Sequence, residues 1–310
     1  MMTPKHFLDL SDLTAHTVRD IVNKARRRKE ARAGLPNGTP DADQPLEGKL
    51  LALVFDKPST RTRVSFDLAM RQLGGDTLML NHNDMQLGRG EPLSDTARVL
   101  SRYVDAIMVR TGPHENLTEL AAEASVSVIN GLTAFSHPCQ ILADILTIEE
   151  HRGPIKGKKI AWLGDGNNVC VSWIHAASLL DFELHLAVPE NFRPPEYVLS
   201  WAAERDAKIV FSNSPEAAVD QAIAVNTDCW VSMSDNPEEA AARAKAFEPY
   251  RVTEALMNLS DNGVFLHCLP AYRGNEVEAR VIDGPQSVVF DEAENRNHIQ
   301  KSILLWCFEG

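Results

Sequence analysis

Short apolar or β-branched runs alternate with longer stretches of helical period along the chain, and they do so in two series. The first holds "LLALVF", "TLML", "AIMVRT" and "VSVIN"; the second holds "KKIAWLGD", "ELHLAVP", "KIVFSNS", "AVNTDCWV" and "GVFLHCLP", followed by a last strand-like run, "SVVF". A strand apolar on both faces must be covered on both faces, and helices crossing over a parallel sheet supply that cover. The predicted fold class is therefore α/β: two domains, each a mainly parallel sheet flanked by helices, linked by interdomain helices. Between the series lies "HPCQILADILTIEEHRGPIKGK", where Pro138 suits a first helical turn and "RGPIKGK" supplies a stop. The expected division is residues 1–150, residues 151–290, and a C-terminal helix, 291–310, packing back on the first domain.

A length of 310 residues, a formal net charge of -12 and 44% hydrophobic content describe a soluble chain long enough for two domains. Lysines and arginines are scattered, which argues against nucleic acid as a partner; the dense run "KARRRKEAR" reads as the solvated face of a first helix, and "PEEAAARAKAFEPY" as an ordinary surface helix. The opening residues lack a basic stretch followed by an apolar core, and no window approaches the roughly 18 apolar residues of a span, so a cytoplasmic protein without membrane association is expected. Five cysteines, far apart and without CxxC, support neither a disulfide framework nor a zinc knuckle, and no metal is expected.

Within this acidic chain, "KPSTRTR" places Lys57, Arg61, Arg63 and three hydroxyls where a buried strand turns into a helix. Pro58 stops the strand, Ser59 or Thr60 can cap the helix, and the remaining first-turn N–H groups face the positive end of the helix dipole. That combination is an anion site, with a guanidinium fork to engage oxygens. A second candidate, "SHPCQ", carries His137 and Gln140 one turn apart at another strand-to-helix junction, with Cys139 readable as a small buried hydrophobe. Arg110 adds a cation at the end of "AIMVR", the edge where ligands of open α/β sheets gather. In the second series "WLGDGNNV" is a weak dinucleotide fingerprint, with Val169 in place of the third small residue; Asn167 and Asn168 are alternatively groups for a carboxylate and an amine. "NTDCWVSMSDN" and "LHCLPAYRG" put Asp228, Ser232 and Cys268 near strand ends.

These five stretches, in this order, resemble the transcarbamoylase family, and its ornithine-specific side in particular, from "FLDLSDLT" to "FDEAENRNHIQKSIL". The resemblance implies that Ser59, Thr60, Arg61 and Thr62, with Arg110, His137 and Gln140, hold carbamoyl phosphate, and that Gln86 reaches a neighbouring subunit's site. It further implies that Asn168, Asp228, Ser232 and Met233 bind L-ornithine, that Cys268, Leu269 and Arg296 close the pocket, and that the assembly is a homotrimer or a multiple of one. Cys268, Arg110 and His137 are the expected catalytic groups, and no cofactor is implied.

The residue types suit carbamoyl transfer. A neutral amine attacks the carbamoyl carbon, charge builds on the carbonyl oxygen, and phosphate leaves; Thr62, Arg110 and His137 are donors for the oxygen, and Arg61 with the helix end serves the phosphate. Cys268, as thiolate or hydrogen-bond acceptor, is expected to orient the amine and help it lose a proton. In the aspartate branch of the family a proline stands in place of Cys268, an arginine follows the "LP", and a lysine comes from the loop matching 82–90; here Ala271 follows Pro270 and the loop holds no lysine. Putrescine and N-acylornithine are less strongly disfavoured, since Asp228 suits a free α-ammonium. One departure is Ser234, where the family's usual residue is glycine; serine restricts φ and is expected to alter the loop's closing rate or the acceptor affinity. A nicotinamide-dependent dehydrogenase, from "LGDGNNV", and a non-catalytic anion-binding protein are the readings from other classes.

Overall fold

The computed structural model describes residues 4–56, 59–81, 91–212, 214–230 and 237–309. The chain divides into two compact units, Met1–Ala143 with Glu294–Gly310, and Asp144–Ala293.

In the first unit, α1 (Ala15–Glu30) precedes β1 (Leu50–Phe55), α2 (Thr60–Gln72), β2 (Asp76–Asn81), α3 (Leu93–Leu100), β3 (Ala106–Arg110), α4 (His114–Glu123), β4 (Ser127–Leu132) and the start of α5 (Pro138–Arg152). The sheet is parallel throughout, in the order β2-β1-β3-β4. Apolar residues of β1, β3 and β4, among them Ala52, Val54, Ile107 and Val128, form a core with Ala97 and Leu100 of α3 and Leu117 and Leu120 of α4. From β1 the chain crosses by α2 to β2 on one side, and then by α3 to β3 on the other, so the direction of winding reverses between β1 and β3. The register pairs Phe55 with Arg110 at the carboxyl ends of those two strands, and this sets Arg110 beside the segment that leads into α2.

The second unit runs β5 (Lys159–Leu163), α6 (Asn168–Leu180), β6 (Glu183–Ala187), α7 (Glu196–Ala203), β7 (Ile209–Ser212), α8 (Pro215–Val219), β8 (Ala224–Thr227), α9 (Pro237–Phe247), α10 (Glu254–Met257), β9 (Val264–His267), α11 (Ala279–Ile282) and α12 (Val289–Phe308), whose later part belongs to the first unit. Its sheet is also parallel, in the order β7-β6-β5-β8-β9, and the winding reverses between β5 and β8. The run "SVVF", expected as a last strand, is not one: Ser287 makes a single parallel bridge with Phe265, and α12 begins at Val289. Both valines have high β propensity, yet Val288 only donates its N–H to the Phe265 carbonyl at 3.0 Å, and Val289 opens the first helical turn with Asp291 and Glu292, which the helix dipole favours.

The basic run at the end of α1 is also more than a solvated face. Arg28 donates to Asp41 at 2.9 Å and to Asp43 at 2.7 Å, Arg32 donates to Asp41 at 2.6 Å, and Lys29 reaches Asn295 at 2.8 Å. Lys301, wholly buried on α12, donates to the two oxygens of Asp41 at 2.8 and 2.6 Å and to Gln72 at 3.2 Å. Burial brings the Lys301 ammonium down to about 8, against the pull of Asp41. Burial works against the Asp41 carboxylate as well, yet the bonds from Lys301, Arg32 and Arg28 hold it below its ordinary value. Asp41 thus meets three cations, with Asp43 sharing Arg28. Asp41→Asn is expected to cost about 3–5 kcal/mol in denaturant unfolding at pH 7. Because Lys301 keeps its proton in the folded wild type only up to about pH 8, that cost should shrink as pH rises through 8; a loss below about 1 kcal/mol, or one flat with pH, contradicts the role.

Candidate active site

On the first unit, Ser59 occupies the N-cap position of α2, but its side chain makes no capping hydrogen bond. The expected cap is therefore not formed, and the first-turn N–H groups keep their capacity for an external acceptor. Thr62, fully buried one turn in, accepts from Arg296 at 2.7 Å and from Arg110 at 3.1 Å. A hydroxyl has two lone pairs and one proton; with both lone pairs engaged, the Thr62 proton is what remains to be given. Arg61 is half-buried, whereas Thr60 and Arg63 are exposed.

His137 and Gln140 are buried at the start of α5, where Thr133 and Ser136 brace the turn: the Ser136 N–H donates to the Thr133 hydroxyl at 3.2 Å, and the Thr133 N–H to the Ser136 carbonyl at 3.0 Å. Burial, reinforced by the charges of Arg296 and Arg110, holds the His137 imidazole well below its ordinary value, so it is neutral. A neutral imidazole beside two guanidiniums is a hydrogen-bond donor that adds no further charge. Cys139 donates to the Asn130 carbonyl at 3.3 Å, and burial pushes its thiol up to about 12, which makes it the inert hydrophobe expected. A cavity of about 350 Å³ opens at the carboxyl ends of β1 and β3, lined by Asp56, Glu91, Arg110, Thr111 and Asn116 among others. A larger one, about 660 Å³ beside α1, holds none of the predicted residues.

On the second unit the glycine-rich turn after β5 is shaped by crowding: a Cβ on Gly166 would lie 2.4 Å from the Pro194 nitrogen. Asn167 then caps α6, its side-chain oxygen accepting from the N–H groups of Val169 at 3.0 Å and Cys170 at 3.2 Å. Those are the donors a dinucleotide's pyrophosphate would need, so the dehydrogenase reading loses its phosphate site. The Asn167 amide meanwhile donates to Asp228 Oδ2 at 2.9 Å. Asp228 Oδ1 accepts from the Cys229 N–H at 2.8 Å and from the Cys268 thiol at 3.2 Å. Burial, then the Asp228 charge, push the Cys268 thiol well above its ordinary value. Cys268 here is a neutral S–H donor to Asp228, whereas the sequence leads one to expect a thiolate or an acceptor.

His267 and Glu276 were not singled out from the sequence. Nδ1 of His267 accepts from the Leu269 N–H at 2.9 Å, which places the ring proton on Nε2, 3.3 Å from the fully buried Glu276. This contact fixes Leu269 at φ 57° immediately after Cys268. Asp228, His267 and Cys268 offer ligand atoms within 4.8 Å of one another, but the His267 Nδ1 lone pair is taken by Leu269 and the Cys268 thiol is bonded to Asp228, so the trio is not an open set of metal ligands. Asn168 is half-buried in the first turn of α6. Gln86, Ser232 and Met233, with Lys57 and Ser234, lie outside the described residues.

Comparison with known proteins finds one family across both parts of the chain. The carbamoyl-P binding domain of aspartate/ornithine carbamoyltransferase matches residues 5–150, and the Asp/Orn binding domain matches residues 156–307. The chain belongs to the aspartate/ornithine carbamoyltransferase family. It is 56% identical to an ornithine carbamoyltransferase of Rhizobium johnstonii and 54% identical to one of Caulobacter vibrioides, each over 99% of both chains. The ornithine carbamoyltransferase of Pyrococcus furiosus has a similar structure, with a TM-score of 0.91 at 47% identity, covering 97% of this chain and 96% of that one.

On the first unit the buried Thr62 hydroxyl gathers the Arg110 and Arg296 guanidiniums. Thr62→Val, which keeps the shape and removes the acceptor for two guanidiniums, is expected to weaken inorganic phosphate binding about tenfold by titration calorimetry; unchanged affinity contradicts it.

Proposed function

We propose that the chain transfers the carbamoyl group of carbamoyl phosphate to the side-chain amine of L-ornithine, giving L-citrulline and phosphate. The carrying observation is the identity of 56% and 54%, over 99% of both chains, to proteins named ornithine carbamoyltransferase. The absence of a lysine in residues 82–90 and the Ala271 that follows Pro270 further disfavour aspartate as acceptor.

Ser59, Thr60, Arg61 and Thr62 hold the phosphate on the open N-terminus of α2, with Arg110, His137, Gln140 and Arg296 around the carbamoyl group and Gln86 supplied by a neighbouring subunit. Asp228 receives the α-ammonium of ornithine, with Asn168, Ser232 and Met233 completing the acceptor site and Cys268 and Leu269 beside the reacting amine. The neutral amine bonds its lone pair to the carbamoyl carbon. Negative charge moves to the carbonyl oxygen, where the Thr62 hydroxyl proton, Arg110 and neutral His137 stabilise it. The carbonyl re-forms as the carbon–oxygen bond to phosphate breaks; phosphate leaves with that electron pair and takes up the proton given by the amine. Because Cys268 is protonated, its sulfur lone pairs orient the amine instead of acting as a strong base.

A homotrimer working in the cytoplasm, in arginine metabolism, completes the reading. Apolar side chains exposed on the first unit support assembly: Leu78 on the edge strand β2, Val64 on α2, and Val99 on α3 with Tyr103 just beyond it. The five free cysteines suit a reducing compartment.

A citrulline assay with ornithine, aspartate, putrescine and acetylornithine as acceptors tests the chemistry. Ornithine should exceed each of the others by about a hundredfold or more in kcat/KM, and a faster rate with any of them refutes the assignment. Light scattering should give three chain masses or a multiple of three at micromolar concentration; a monomer or dimer contradicts the trimer.

A further inference from the structure

The basic run that closes α1 faces the cavity of about 660 Å³ bounded by α1, the loop that follows it and the end of α12, all within the first unit. Lys24, Arg27, Arg28 and Ala31 recur at intervals of three and four residues, so one helical face turns them together toward it. Buried Leu46 and Leu305, half-buried Phe308 and exposed Leu35 give the cavity an apolar lining. We infer that it is a binding site for a small organic anion with an apolar body, the acid group meeting Arg27 and the body lying on those four side chains.

The pairing of charges gives the sign of the ligand. Three carboxylates stand at the cavity, and each is engaged. Glu309 accepts from Lys24, Asp43 accepts from Arg28 at 2.7 Å, and Asp41 accepts from Arg28 at 2.9 Å and Arg32 at 2.6 Å, with Lys301 bonded behind it. Arg27 is exposed and makes no ion pair or side-chain hydrogen bond among the described residues. A cationic ligand would have to displace a bonded guanidinium or ammonium, whereas an anion finds a guanidinium fork unspent. Lys24, Arg27, Arg28, Arg32 and Lys301 thus stand against Asp41, Asp43 and Glu309, a local positive excess in a chain whose formal total is -12.

Size and lining give the rest. A cavity of several hundred Å³, mainly apolar with a few placed polar groups, is the ordinary form of a small-molecule site. A bare inorganic ion would meet Arg27 and leave the apolar lining wet, whereas an aliphatic or aromatic acid uses both, helped by the methylene stems of Lys24 and Arg28. The bonds from Arg28 and Arg32 to Asp41 and Asp43 hold the loop against α1, so the walls are in place before a ligand arrives. None of the residues given a part in carbamoyl transfer lines this cavity, and the site is independent of the proposed reaction.

Fluorescence titration of the full-length protein with anilinonaphthalene sulfonate, whose emission rises as its rings leave water, tests the site. Binding with a dissociation constant on the order of tens of micromolar is expected. Phenylnaphthylamine, which has the same rings and no sulfonate, should bind at least about tenfold more weakly. Arg27→Ala should weaken the sulfonate about tenfold and leave the neutral compound within about twofold, while Ala31→Trp, which fills the cavity from an exposed position, should weaken both by more than about tenfold. Equal affinity for the charged and neutral compounds, or for wild type and Arg27→Ala, overturns the inference. So does sulfonate binding that survives Ala31→Trp, which would place the dye elsewhere on the chain. A change in assembly mass by light scattering on Arg27→Ala would make this face a contact between copies of the chain and would overturn the small-molecule site. If circular dichroism shows that Ala31→Trp does not fold, Arg27→Ala and the neutral compound carry the test.

Discussion

Each sheet reverses its direction of winding once, between β1 and β3 in the first unit and between β5 and β8 in the second. At a reversal the helices leave in opposite directions, and a crevice opens at the carboxyl ends of the two strands. The segments there are Asp56, "STRT" and Arg110 in one unit, and "LGDGNN" and "DCW" in the other. Those segments supply Ser59 to Thr62, Arg110, Asn168 and Asp228, while His137, Gln140, Cys268, Leu269 and Arg296 come from other elements. The parallel sheet thus decides where chemistry can be placed before any catalytic residue is chosen.

The two crevices have been made opposite in character by how each helix begins. Ser59 leaves the N-terminus of α2 uncapped, and cations gather on the Thr62 hydroxyl. Asn167 closes the N-terminus of α6 with its own oxygen and turns its amide to Asp228, so the exposed polarity of that crevice is acidic. A phosphate is favoured in the first and an ammonium in the second. In a chain with a formal charge of -12, the positive crevice is local, and the buried cations around Asp41 show a similar concentration used for structure instead of for binding.

Much of this was legible in the residues. "KPSTRTR" contains its three cations and its helix start within seven letters, and Arg110 is placed by strand register. What the sequence hid are pairings remote along the chain: Arg243 with Asp165 and Lys301 with Asp41. No spacing rule links such residues, because the contacts are created by tertiary packing and not by helix or strand periodicity. Ser59 illustrates a different limit, since its type predicts a cap but its side chain does not make one. In "SVVF", propensity favoured a strand where a helix start prevailed.

The central claim is that one crevice is built for an anion and the other against it. A crystal structure of the enzyme grown with inorganic phosphate measures this directly. The account predicts a tetrahedral anion bound by the first-turn N–H groups of α2 beside Arg61 and Thr62, and none at the start of α6. Phosphate at the Asn167 cap, or no anion at α2 while activity is intact, would contradict it.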